Sequence, residues 1–155
     1  MEVPKPTAAH QRLHALAGKW TGAEKMHPSP WDPQGGMAEA KIDNQLVLDG
    51  FAIAQNYAQV RGGQVSFTGH CVMSYDATAK EYQMHWWDSM GTPVNVFRGQ
   101  FEGHLLALHN KNPMGLSRCT LDLEKAGSGR YSFKMEVSQD GKQWAPFMEG
   151  NYVRG

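Results

Sequence analysis

The sequence predicts an all-β protein, an antiparallel meander of about ten strands closed into a barrel behind a short N-terminal helix. Three observations carry that reading. Leu16-Ala17-Gly18-Lys19-Trp20-Thr21-Gly22 puts a large indole at the entry to a first strand, where it can plug one end of a small barrel. After it, apolar and polar residues alternate in short runs, as half-buried strands require. Between the runs lie turn clusters too short for anything but hairpins, and closing such a meander removes the edges an open sheet would expose.

The elements follow in order. Thr7 is a helix N-cap, Leu13 and Leu16 share a face with Ala9, and Gly18 is a stop, which gives a helix of about ten residues that plugs an open end. Residues 1–18 are thus an arm and plug helix, and 19–155 a single barrel domain. Strand-like runs then span Lys19 to Met26, Ala38 to Leu48, Phe51 to Arg61, Val65 to Tyr75 and Glu81 to Asp88. The second half repeats the pattern over Val94 to Phe101, Leu105 to Asn110, Leu116 to Glu124, Arg130 to Ser138 and Trp144 to Arg154. Asp49-Gly50, Gly62-Gly63, Gly103 and Gln139-Asp140-Gly141-Lys142 are among the turns. Tyr131, Phe133, Met135 and Val137 oppose Ser132, Lys134 and Glu136, the clearest alternation in the chain. Phe67, Cys71, Met73 and Tyr75 form a similar apolar side that Gly69 interrupts, which suggests a bend.

Composition excludes several functions. At 155 residues the chain is about one domain. Fifteen basic and fifteen acidic residues cancel without any block of like charge, so neither nucleic acid nor an anionic membrane is an expected partner. No apolar stretch approaches the roughly 18 residues of a membrane span. The start, Met1-Glu2-Val3-Pro4-Lys5-Pro6, lacks a secretory pattern, so a cytoplasmic location is expected. Cys71 and Cys119 form no CxxC and read as free buried thiols.

Gly18-Lys19-Trp20, the meander and the final Tyr152-Val153-Arg154 resemble the calycin group, which includes lipocalins, fatty-acid-binding proteins and nitrobindins. That resemblance implies a calycin-like barrel in which Arg154 stacks on Trp20, making Gly18, Trp20 and Arg154 structural. The Met26 to Gly36 loop is too short for the two helices of fatty-acid-binding proteins, and no helix follows the last strand as in lipocalins, so a nitrobindin-like barrel fits best. Lys25-Met26-His27-Pro28-Ser29-Pro30-Trp31-Asp32-Pro33, Met84-His85-Trp86-Trp87-Asp88-Ser89-Met90 and Phe147-Met148-Glu149-Gly150-Asn151-Tyr152 further resemble a bacterial family of small calycin-like proteins of unknown function. Nitrobindins bind haem through a late histidine, whereas this chain has none after His109, so no cofactor is expected.

Candidate ligand-binding residues follow from parity and chemistry. His27 and Trp31 sit in a proline-stiffened loop that either covers a barrel mouth or packs as its rim. Tyr82, Met84 and Trp86 form the more apolar parity of their strand and should face inward, with Asp88 joining them at the strand end. His85 and Trp87 then face outward as an apolar patch suited to a homodimer. His70 lies opposite the apolar side of its strand, either in solvent or in a mixed cavity lining. Arg98 and Glu149 are a buried pair or a receptor for a polar ligand head, or alternatively a surface pair, and Met135 adds inward contact area. His27, His70 and His85 share no metal-ligand spacing, so no metal is assigned. The expected function is binding of a small, largely apolar or amphipathic molecule inside the barrel. The alternatives are an enzyme pairing His70 with Asp88 or Glu149 in the cavity, and an interaction module with a filled barrel.

Overall fold

The computed structural model describes residues 2–30 and 32–155, and its strands close on themselves. In chain order they are β1 (Gly18–Met26), β2 (Gly36–Val47), β3 (Ala52–Arg61), β4 (Gln64–Asp76), β5 (Glu81–Asp88), β6 (Asn95–Glu102), β7 (Leu105–Asn112), β8 (Gly115–Asp122), β9 (Arg130–Ser138) and β10 (Ala145–Arg154). Each pairs antiparallel with its neighbours in sequence, and β1 also pairs with β10, from Trp20 opposite Arg154 to Met26 opposite Met148. The fold is the ten-stranded closed barrel the alternation predicts, because short turns permit only neighbour pairing and closure leaves no edge strand.

One end is plugged. The helix α1 (Ala8–Gln11) runs directly into a 3-10 turn over Arg12–Leu16, with Thr7 at the N-cap position and its N–H donating to His10 Nδ1 at 3.1 Å. Leu13 and Leu16 are buried against the barrel. Polar bonds pin the plug around its circumference: Trp20 Nε1 and Asn44 Nδ2 both donate to the Leu16 carbonyl at 2.9 Å, Tyr82 OH donates to the Ala9 carbonyl, and Arg154 donates to the Ala15 carbonyl. The Arg154 guanidinium lies 4.5 Å from the centre of the Trp20 ring, the stack that the resemblance implied. Gly18 belongs to the same device. Its φ of +127° disfavours any side chain, and a Cβ there would press on Arg154 Nε at 3.1 Å.

The other end is framed by the β1–β2, β3–β4, β5–β6, β7–β8 and β9–β10 connections. β5 takes the parity expected from its apolar side: Tyr82 and Met84 are buried and Trp86 partly buried, while Trp87 is 43% exposed. Gly69 is not a bend. It pairs in continuous register with Tyr57 on β3 and Asp88 on β5. Its missing side chain instead makes room for the benzo ring of Trp86, which a Cβ would overlap. Gly150 does the same for Tyr152, whose ring leans over it toward the open end. Two inward glycines thus let two aromatic side chains lie along the wall rather than across the lumen. Cys71 and Cys119 are free and buried on opposite sides of the meander, on β4 and β8.

Candidate functional site

The strands enclose a cavity of about 740 Å³ that reaches from the barrel centre to the unplugged end. Its body is soft and apolar. Met26, Met73, Met84, Met135 and Met148 contribute flexible thioether chains, and Phe67, Phe97, Phe133 and Trp86 contribute rings. Toward the mouth the lining turns polar, with His27, Asp32, Arg61, Asp88, Asn95 and Asn110. That gradient is built by strand position: inward residues near the plug must be apolar to bury, whereas those near the mouth meet solvent.

A fully buried carboxylate stands behind the wall. Glu24, on β1 two residues before Met26, is 0% exposed. Tyr57 OH and Gln59 Nε2 donate to its Oε1, the latter at 3.3 Å, and Tyr152 OH donates to its Oε2 at 2.7 Å. Gln59 also donates to Tyr57 OH at 3.0 Å. Burial and the neighbouring Glu24 charge push both phenols well above their ordinary range, so they stay neutral donors. The leaning of Tyr152 over Gly150 is what brings its hydroxyl to this carboxylate.

Three polar pairs ring the mouth. His27 Nε2 meets Glu149 Oε2 at 2.8 Å, and the imidazole holds the Glu149 carboxyl below its ordinary value. Arg61 donates from one terminal nitrogen to Asp32 at 3.0 Å. Trp86 Nε1 donates to Asp88 Oδ2 at 2.9 Å, which fixes the indole in the wall. Trp86 also stacks loosely on Phe67 at 6.4 Å and meets Tyr57 edgewise at 5.9 Å.

The structure gathers part of the expected set and disperses the rest. His27, Met84, Trp86, Asp88 and Met135 line the cavity, and Glu149 stands at its rim through His27. Trp31 lies outside the described residues. Three expectations are corrected. His70 points outward, donating from Nδ1 to Asn56 Oδ1 at 2.9 Å and lying 6.4 Å from the Trp87 ring, because its parity opposes Cys71 and Met73. Tyr82 faces inward but near the plug, where its hydroxyl is spent on Ala9 below the cavity floor. Arg98 is 48% exposed and pairs with Glu81 at 3.2 Å, so it forms no pair with Glu149. The carboxylates expected beside His70 have other partners, Trp86 for Asp88 and His27 for Glu149. His85 and Trp87 do face outward, stacked at 6.4 Å. Sequence reasoning missed Glu24, Tyr57, Gln59 and Arg61. The signal was present in Glu24, an acidic residue at an inward position of a strand whose other inward members are Trp20, Gly22 and Met26.

Among the described residues no cluster of three or more His, Cys, Asp or Glu is arranged to hold a metal ion. Among the same residues no helix is long and apolar enough to cross a membrane.

Among curated proteins no sequence matches the chain. Several solved structures share its fold. One is Rv2717c from M. tuberculosis, 12% identical, with a TM-score of 0.68 over 96% of this chain and 98% of that one. Another is the S-type phycobiliprotein lyase CPES from Guillardia theta, 13% identical, with a TM-score of 0.63 over 96% and 93%. The sequence itself matches one family across residues 5–154, and the chain therefore belongs to the family described as Protein of unknown function (DUF1579).

Proposed function

We propose that this protein is a calycin-like binding barrel that takes a small, largely apolar or amphipathic molecule into its interior. The cavity carries the reading: about 740 Å³ lies within the range that ligand sites occupy, and its Met and aromatic body with a polar mouth suits an apolar group inside and a polar group outside. A filled interaction module is the poorer reading, since side chains leave that volume open. The His–carboxylate pair that an enzyme would need is His27 with Glu149, at the rim rather than beside the apolar body, which favours binding over catalysis.

The test is titration with N-phenyl-1-naphthylamine, a neutral dye that brightens in apolar surroundings. Equimolar, saturable enhancement is expected, and Met135→Trp, which fills the cavity body, should weaken it by at least tenfold, the effect of about 1.4 kcal/mol. No enhancement, or equal enhancement in a folded Met135→Trp variant, would remove this function.

A further inference from the structure

We propose that the molecule this cavity recognises is an organic cation, an apolar body bearing an amine or quaternary ammonium group that seats against Tyr57, Phe67 and Trp86. The proposal rests on the cavity being a binding site and adds the charge of its ligand. Its basis is an imbalance of partners. Glu24 is fully buried, yet every donor to it is neutral: two phenols and an amide. Asp88 receives only the Trp86 indole N–H and the Met90 backbone N–H. No Lys, Arg or His among the described residues makes an ion pair with either carboxylate. The basic side chains that line the cavity among the described residues are committed elsewhere, Arg61 to Asp32 and His27 to Glu149. Burying a carboxylate without a counter-charge is costly, and a cation brought in by the ligand offsets that cost.

The wall between the two carboxylates has the matching chemistry. Tyr57, Phe67 and Trp86 form a contiguous aromatic cluster lining the cavity, with centroids 5.9 to 6.4 Å apart. Ring faces attract cations, Trp most strongly, and more so in a site that excludes water. Tyr57 and Tyr152 donate their hydroxyl hydrogens to Glu24, so toward a ligand their oxygens can only accept, which suits an N–H donor and not a carboxylate oxygen. The one permanent cation in the described lining is Arg61, whose Nε is buried without a partner and whose charge would favour an anion. Its guanidinium is already neutralised by Asp32, and it stands alone against two unpaired carboxylates.

Displacement of N-phenyl-1-naphthylamine by three ligands of one chain length tests this: dodecyltrimethylammonium, dodecanol and dodecanoate, each below its micellar concentration at neutral pH. The ammonium ligand should bind about tenfold more tightly than the alcohol, and the carboxylate most weakly. Asp88→Asn and Glu24→Gln should each collapse the ratio of ammonium to alcohol affinity toward unity. Asp88→Asn sits in the wall beside solvent, so it keeps the test intact if Glu24→Gln does not fold. Carboxylate binding as tightly as ammonium, or an unchanged ratio in folded Asp88→Asn, overturns the cation while leaving the cavity a binding site. Failure of the neutral dye to enter overturns both.

Discussion

Replacing Gly69 by alanine should destabilise the barrel because of one neighbour, and removing that neighbour should abolish the effect. In a strand interior, alanine in place of glycine gains roughly 0.5–1 kcal/mol of backbone entropy. Here the new methyl overlaps the Trp86 benzo ring, which is held from behind by the bond to Asp88 and beside by Phe67. Forcing a packed ring aside costs about 1–3 kcal/mol. Gly69→Ala should therefore lose about 1–2 kcal/mol net, a fall in Tm of roughly 2–8 °C for a chain of this size. In a Trp86→Ala background the ring is absent and the same change should be neutral or stabilising. The coupling energy from the four-variant cycle, measured by urea denaturation followed by circular dichroism, is then about 2 kcal/mol. Additivity within about 0.5 kcal/mol would refute the account of Gly69 as the seat of Trp86.

Three further outcomes follow from the plug, the thiols and one ion pair. Trp20→Ala should cost about 3–5 kcal/mol as a buried indole is lost, whereas Trp20→Phe should cost only about 1 kcal/mol. The Leu16 carbonyl keeps its bond from Asn44 in both, and since Trp20 does not line the cavity, dye affinity of either folded variant should equal that of the parent. Burial pushes the Cys71 thiol up to about 12 and the Cys119 thiol higher still, so neither should react with iodoacetamide in the native state, and both should react in denaturant; rapid native labelling would contradict the packing. Glu136 accepts from Arg118 at 2.9 Å, which lowers its carboxyl from the ordinary 4.5. A folded value below the unfolded one stabilises above the unfolded value and is lost as pH falls through the folded one. Glu136→Gln should thus be less stable than the parent at neutral pH, with the gap closing below about pH 4.5 in urea titrations at stepped pH. A gap that widened on acidification would reverse the assignment.

The fold was legible because each of its determinants is local. Alternation within runs such as Tyr131 to Val137 and the intervening turns define strands and hairpins without reference to distant residues, and β9 falls on the expected Arg130–Ser138. The parity of β5 was legible for the same reason, since Tyr82, Met84 and Trp86 differ in character from His85 and Trp87. The site was less legible because it is made across strands. Glu24, Tyr57, Gln59 and Tyr152 lie on β1, β3 and β10, and only the closure of the barrel brings them within hydrogen-bond reach. The sequence also hides which of several like residues finds a partner. His27 rather than His70 meets Glu149, and Arg98 is drawn to Glu81 because the two share the outer face of β5 and β6. Gly69 carried an ambiguous signal: a missing side chain in a strand reads equally as a bend or as a slot, and only the ring two residues along the partner strand decides.

The seam between β1 and β10 has a kinetic consequence. Trp20 and Arg154 stand opposite each other although nearly the whole chain separates them, while every other pairing joins neighbours in sequence. Hairpins can therefore accumulate in order as the chain leaves the ribosome, yet until the final strand arrives both β1 and β9 offer unpaired backbone to any other strand nearby. The arrival of β10 removes two adhesive edges in one step. Aggregation hazard should consequently concentrate in the nascent chain and in truncated fragments, and a circular permutant that joins residues 155 and 2 through a short linker, opened at Gly62-Gly63, would keep the plug and bring the two strands of this seam close together in sequence.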